Sequence, residues 1–271
     1  MNRQPPEMAA HSSAISLRSI ALSFGGVQAL RQIDLDIAKG EIRSIIGPNG
    51  AGKSSLINVI SGLYRADEGF ITLGDTRVRH IRPEQQARLG IARTFQNLAI
   101  FGGLSARENI ELGHTYRRRS GFLEHMFWSS RASVEAIAVR QHVDEILSLL
   151  DLHDVAEHPA ANLPYGLQKR VELARALAAE PTLLLLDEPM AGMTATEKAQ
   201  MAGFVRAIHE RHRTTIVLIE HDIGIVMNLS DRVAVLDYGR KIADGTPAEV
   251  RNDQAVIDAY LGVAHTGETE R

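Results

Sequence analysis

The chain contains no cysteine. That absence removes disulfides, thiolate-bound zinc, iron–sulfur clusters and cysteine nucleophiles, and it leaves the redox compartment undetermined. Long apolar runs are missing too: the richest, Leu183 to Leu186, is stopped by Asp187, far short of the roughly 18 residues a membrane-spanning helix needs. There is no excess of positive charge. With 30 Lys plus Arg against 33 Asp plus Glu, the formal charge is −3 and the pI near 6.4, so no global basic field gathers nucleic acid, and nucleic acid is not an expected partner. The first residues, MNRQPPEMAAHSS, hold no apolar stretch of signal-peptide length, and Pro5 and Pro6 suit a loose tail, so a cytoplasmic protein is expected.

What is present is ordinary globular material, 44% hydrophobic and 23% charged over 271 residues. A chain of this size forms one large domain or two lobes and buries about 70 to 75% of its unfolded surface. Alternating apolar positions at Ile20, Leu22 and Phe24, then Ile33, Leu35 and Ile37, predict half-buried strands around a turn at Gly25-Gly26, hence a small antiparallel sheet. Ile42, Ile45 and Ile46 predict a short strand, followed by a glycine-rich turn and a helix carrying Leu56, Ile60 and Leu63 on one face. From about Asn97 to Leu152 strand-like runs disappear, while Val143, Ile146, Leu147 and Leu150 line a helical face. The runs at Leu183–Leu186 and Ile216–Ile219 are continuous and apolar, as in parallel strands covered on both faces. No internal repeat interrupts this order.

Gly47-Pro48-Asn49-Gly50-Ala51-Gly52-Lys53-Ser54 fits G-x-x-x-x-G-K-[ST], between a strand and a helix. Such a loop turns backbone N–H groups inward around phosphate oxygens, while the helix behind it presents the positive end of its dipole. Lys53 would reach the β- and γ-phosphates of a nucleoside triphosphate and Ser54 would ligate Mg²⁺. A second element, Leu183 to Leu186, delivers Asp187 and Glu188 at a strand's C-terminal end, where open α/β sheets place ligands. Asp187 suits a role in holding Mg²⁺, and Glu188 one in orienting or deprotonating water.

After the phosphate loop, four motifs in order (Gln96 in ARTFQN, the stretch LPYGLQKRVELARAL from Leu163, the strand LLLLDEP directly after it, and His221 in IEHD) resemble those of ATP-binding cassette (ABC) ATPases. The resemblance covers about Ile15 to Gly262. LPYGLQKRVELARAL, DEPMAGM and the ending EHDIGIVMNLSDRVAVLDYGRKIADGTPAEV are most similar to the nucleotide-binding subunits of branched-chain amino acid uptake systems.

The resemblance implies an α/β fold with a RecA-like parallel-sheet core, an N-terminal antiparallel β subdomain and a helical subdomain inserted at about 97–180. The ATPase domain would span 14–262, between tails at 1–13 and 263–271. It implies ATP and Mg²⁺ as ligands, with Phe24 stacking on adenine and the loop from Gly47 through Ser55 (Gly47, Pro48, Asn49, Gly50, Ala51, Gly52, Lys53, Ser54, Ser55) holding the phosphates. Ser54, Gln96 and Asp187 would attend the metal, and Glu188, His221 and Gln96 the attacking water. Leu163, Pro164, Tyr165, Gly166 and Leu167 stand where the family usually has L-S-G-G-Q, the motif that caps the γ-phosphate bound by the opposite subunit. Pro164 offers neither hydroxyl nor N–H, so any capping here falls to backbone donors at Gly166 and beyond.

The expected partners are a second ATPase subunit, two integral-membrane permease subunits and, indirectly, a solute-binding protein. Such an assembly would hold the chain on the inner face of the cell membrane. The rival reading is a non-transport ABC ATPase acting on nucleic acid or ribosomes, but such proteins usually carry a long coiled-coil insertion or a second cassette. Two further features are read as structural. His209 and His212 lie on a charged helix without a third ligand, so no zinc is assigned. Arg117, Arg118 and Arg119 before Phe122, Met126, Phe127 and Trp128 read as a solvated charge run ahead of a packed helix.

Overall fold

The computed structural model describes residues 13–94, 98–115 and 130–261. Gln96, most of the 1–13 tail, the 263–271 tail and the segment from Arg117 to Trp128 lie outside the described residues. Two sheets organise the rest. The first is antiparallel, in the order β2-β1-β4-β5, from β1 (Ser13–Phe24), β2 (Val27–Ala38), β4 (Glu68–Leu73) and β5 (Thr76–Val78). The alternation in β1 and β2 buries Ile15, Leu17, Ile20, Leu22, Ile33, Leu35 and Ile37 on one face. Phe24 departs from it: the strand ends there at the Gly25-Gly26 turn, and the ring is 46% exposed with its edge against Tyr64, centroids 5.2 Å apart.

The second sheet runs β10-β9-β3-β8-β7-β6, parallel except where β10 (Arg240–Gly245) returns against β9 (Arg232–Asp237). Its central strands β3 (Ile42–Ile46), β7 (Leu183–Asp187) and β8 (Thr215–Ile219) are buried at every residue, which explains their unbroken apolar runs. The edge strand β6 is short, Ile91–Arg93. Alternate residues of β7 serve two cores. Leu184 and Leu186 face helices, whereas Leu183 and Leu185 pack with α1 (Lys53–Ile60) and the antiparallel sheet. Each such side chain contributes about 1.5–3 kcal/mol of burial. Leu63 is not on α1, which ends at Ile60; it is exposed beyond Gly62.

Between β6 and β7 lie α2 (Ala106–Thr115), α3 (Ser130–Leu149) and α4 (Tyr165–Ala178). Their inward residues, Ile110, Val143, Ile146, Leu147, Val171 and Ala174, join the core on the sheet's helical face, with Leu150 just past the end of α3. After β7 come α5 (Ala195–His212) and α6 (Ile223–Leu229), and α7 (Pro247–Arg251) and α8 (Gln254–Leu261) close the chain over β9 and β10. No described helix is long and apolar enough to cross a membrane.

Candidate nucleotide site

The strand β3 delivers the chain to Gly47 at the C-terminal edge of the parallel sheet, and the loop to Gly52 turns it into α1. Two glycines are indispensable to that path. Gly47 has φ 147° and a Cβ there would strike the carbonyl of Leu236; Gly52 has φ 101° and a Cβ would meet the carbonyl of Ala29. The Ala51 carbonyl accepts the Gly239 N–H at 3.0 Å, pinning the loop to the β9–β10 turn. Lys53, only 6% exposed, donates from Nζ to the carbonyls of Gly47 (2.7 Å) and Pro48 (2.9 Å). Burial pushes its ammonium below the ordinary lysine value, while Glu188 and Asp187 pull it back up.

The loop from Asn49 through Ser55 lines a cavity of about 210 Å³ together with Ala29, Glu188 and His221. The last two arrive on neighbouring strands. In the parallel β7/β8 register Asp187 stands beside Ile219, and the Glu188 N–H donates to the Ile219 carbonyl at 3.0 Å. Glu188 takes φ 50°, a left-handed conformation unusual for a side chain of this kind, and its Oε1 lies 2.7 Å from Nε2 of His221. A carboxylate oxygen accepts, so in this contact the imidazole Nε2–H is the donor. Glu220 is turned away and buried. It accepts the N–H groups of Met190 (2.9 Å) and His221 (3.2 Å), and desolvation raises its pKa, so it holds the chain after β8 in place.

Asp187, next to Glu188 in the chain, does not itself line the cavity; it is 2% exposed, with Oδ2 accepting from Arg93 Nη2 at 2.8 Å. Burial pushes its carboxyl above the usual range, against the charges of Arg93 and Lys169. Its other oxygen, Oδ1, is buried without a hydrogen-bond partner among the described residues. An orphaned carboxylate oxygen beside a phosphate-shaped loop suits a hydrated divalent cation, so the donor set fits Mg²⁺.

Other sequence candidates lie apart from this cavity. Phe24 is accessible but does not line it. LPYGL stands at the start of α4, with Pro164 as N-cap and no side-chain cap; Leu163 and Gly166 are buried, Leu167 is half-buried and Tyr165 is exposed. Gly166 faces Glu197 of α5, whose carboxylate a Cβ would strike, so a larger residue there disturbs this chain as well as anything docking on it. His209 Nδ1 lies 3.2 Å from the Thr214 carbonyl at the end of α5. Arg93 carried no motif signal of its own beyond lying three residues before Gln96.

A mostly parallel sheet that presents a phosphate cradle at its carboxyl edge, with acid and imidazole beside it, is the architecture of a phosphate-loop ATPase. Comparison with known proteins narrows that class. The family model described as ABC transporter matches residues 30–191, and a second, described as branched-chain amino acid ATP-binding cassette transporter, matches 240–266. The chain belongs to the ABC transporter family and is its ATP-binding, ATP-hydrolysing component.

Its relatives include the high-affinity branched-chain amino acid transport ATP-binding protein LivG of Escherichia coli (strain K12), 36% identical over 92% of this chain and 98% of that one. The corresponding BraF of Pseudomonas aeruginosa is 34% identical with the same coverage. Among solved structures, the ADP conformation of the ATP-binding cassette MJ1267 superposes with a TM-score of 0.78 at 29% identity, over 92% of this chain and 99% of that one. A nucleotide-free ATP-binding cassette from an ABC transporter gives 0.76, also at 29%, over 94% and 100%.

Proposed function

We propose that this ATPase powers an importer of branched-chain amino acids or a similar small polar solute through a separate membrane permease. The relatives' names and the match of the C-terminal segment support the solute class. On this reading the chain pairs with a second ATPase subunit and two permease subunits, which hold it at the inner membrane face. A solute-binding protein acts upstream.

The single observation that carries the catalytic assignment is the convergence of Lys53, Glu188 and His221 on the cavity lined by the phosphate loop. Loop N–H groups and Lys53 bind the phosphates, and the start of α1 favours their charge. Lys53 is preorganised, since its ammonium is already held at the loop by two carbonyls. Ser54, Asp187 and Gln96 would hold Mg²⁺, which supplies charge neutralisation for the phosphate oxygens. Glu188 takes or orients the proton of the attacking water, and His221 fixes the carboxylate's direction through the 2.7 Å contact. Phe24 stacks on adenine, its exposed ring being free to do so. Leu163 to Leu167 cap the γ-phosphate of the opposite subunit through the N–H groups at the start of α4.

Hydrolysis is then phosphoryl transfer to water, with acceleration from positioning and electrostatics. ATP drives dimer closure because it binds the closed form more tightly. The test is co-purification of the tagged full-length protein with its membrane partner, followed by measurement of ATPase stimulation in vesicles by candidate solutes with a binding protein. Stimulation by leucine-type amino acids supports the reading. Partnership with ribosomes or DNA, in place of an integral-membrane protein, would sink it.

A further inference from the structure

Arg93 sits outside the nucleotide cavity, yet it joins three elements around it. Its guanidinium donates from Nη2 to Asp187 Oδ2 at 2.8 Å, and from Nη1 to Asn58 Oδ1 at 2.6 Å and Ser61 Oγ at 2.7 Å. The side chain is 6% exposed and that of Asp187 2%, and Ser61 is fully buried. Asn58 belongs to the last turn of α1 and Ser61 is its C-cap, so the contacts run to the same helix whose first turn forms the floor of the phosphate loop. Arg93 itself is held by the parallel pairing of β6 on β7, opposite Leu185, and the Thr94 N–H bonds the Leu185 carbonyl at 2.9 Å.

A planar guanidinium can satisfy acceptors in several fixed directions at once, which an ammonium on a flexible stem cannot do with the same geometry. Here one edge takes a single oxygen of Asp187 and leaves the other, Oδ1, without a hydrogen-bond partner among the described residues. The carboxylate is therefore locked in rotation, with one oxygen occupied by Arg93 and one presented. The lock is anchored on α1, so Asp187 and the phosphate loop keep a common frame.

We propose that Arg93 is a positioning residue for magnesium: by bridging Asp187 to Asn58 and Ser61 of α1, it fixes the direction of the free Asp187 oxygen relative to the phosphate loop. The proposal rests on the reading of Asp187 as a magnesium-holding carboxylate. It adds a residue that touches neither nucleotide nor metal, and it makes metal affinity sensitive to the far end of α1.

The experiment uses the full-length protein in a Glu188→Gln background so that ATP persists. ATP affinity is measured by equilibrium titration in EDTA and again across a magnesium series. Arg93→Lys keeps a cation but loses the planar fork that reaches Asp187, Asn58 and Ser61. It should raise the magnesium concentration for half-maximal tightening by about tenfold, the scale seen when partners of metal ligands are removed. ATP affinity in EDTA should stay within about threefold, because the loop and Lys53 are untouched.

Asn58→Ala removes one anchor without touching the ion pair and should shift the same quantity in the same direction by about threefold. It decides the matter if Arg93→Lys does not fold. Asp187→Asn tests the underlying reading separately: it should abolish the magnesium enhancement, and if it does not, the metal role of Asp187 falls and that of Arg93 with it. If Asp187→Asn abolishes the enhancement while Arg93→Lys and Asn58→Ala leave half-saturation unchanged, the positioning role is overturned and the reading of Asp187 stands. Equal losses in EDTA and in magnesium also overturn it, since they would mean that α1 itself has shifted.

Discussion

Helices α5 and α7 begin by capping themselves, whereas α1 and α4 do not. At α5 the Thr194 hydroxyl accepts the Glu197 N–H and Glu197 reaches back to the Thr194 N–H; Thr246 and Glu249 repeat the arrangement at α7. Asp222 caps α6 in a simpler way. By contrast α1 starts from Gly52 in a left-handed conformation and α4 from Pro164, both with no side-chain cap and no acidic residue in the first turn. The first N–H groups of a helix need an acceptor. Where the chain supplies a hydroxyl and a carboxylate, the helix start serves stability; where it supplies neither, an anion from outside can take their place. The comparison groups LPYGL with the phosphate loop on physical grounds, although the two lie apart within one chain.

The comparison breaks most sharply at Lys53. Lys53→Ala removes the cation held against the loop carbonyls, and ATP affinity should fall by at least about a hundredfold; a folded variant with unchanged affinity, by calorimetry, would mean that the uncapped start of α1 is not an anion site. Glu188→Gln keeps the shape of the cavity and the hydrogen bond to His221 within reach, so ATP binding should persist while steady-state turnover drops by roughly 10². Wild-type turnover in that variant would remove Glu188 from catalysis.

A milder effect is expected at α4. In the Glu188→Gln background, Gly166→Val should suppress ATP-driven dimerisation on size-exclusion chromatography while leaving ATP affinity within about threefold. Because Gly166 faces Glu197, part of any effect could come from a disturbed α5 cap. Thr194→Ala separates the two. It breaks that cap without touching α4 and should cost about 1 kcal/mol by urea denaturation while dimerising normally.

The same cap has a pH signature. The Thr194 N–H and hydroxyl hold the Glu197 carboxyl below its ordinary value, so the folded state keeps the charge to lower pH than the unfolded chain does. That contribution is complete above the unfolded carboxyl range and is lost as pH falls through the lower folded value. The stability gap between wild type and Thr194→Ala should accordingly narrow in acid; a gap that widens on acidification would contradict the capping geometry.

Much of this was legible from local pattern. Strand, glycine loop and helix from Ile42 to Ile60 follow from spacing alone, because a phosphate cradle is built within one short segment. The buried runs at Leu183–Leu186 and Ile216–Ile219 announce a parallel sheet because both faces are covered. Less legible were β5, β6 and β10: the first two have only three residues each, too few to display a period, and β10 is half-polar. Phe24 and Leu63 were assigned to apolar faces by periodicity and are exposed, since periodicity does not report where an element stops being covered.

What the sequence by itself determined is therefore the chemistry within segments: a loop shaped for phosphate, two acids after a buried strand, a histidine after another, and the motif order of an ATP-binding cassette. Which of these groups meet was decided by tertiary structure. Glu188 and His221 are brought to 2.7 Å by the register of two parallel strands. Arg93 finds Asp187 and α1 only because β6 adds to the edge of β7. The physical reason is the same in both cases: parallel pairing joins segments separated by long crossovers, and its register is set by the packing of both sheet faces at once, which no local window of residues contains.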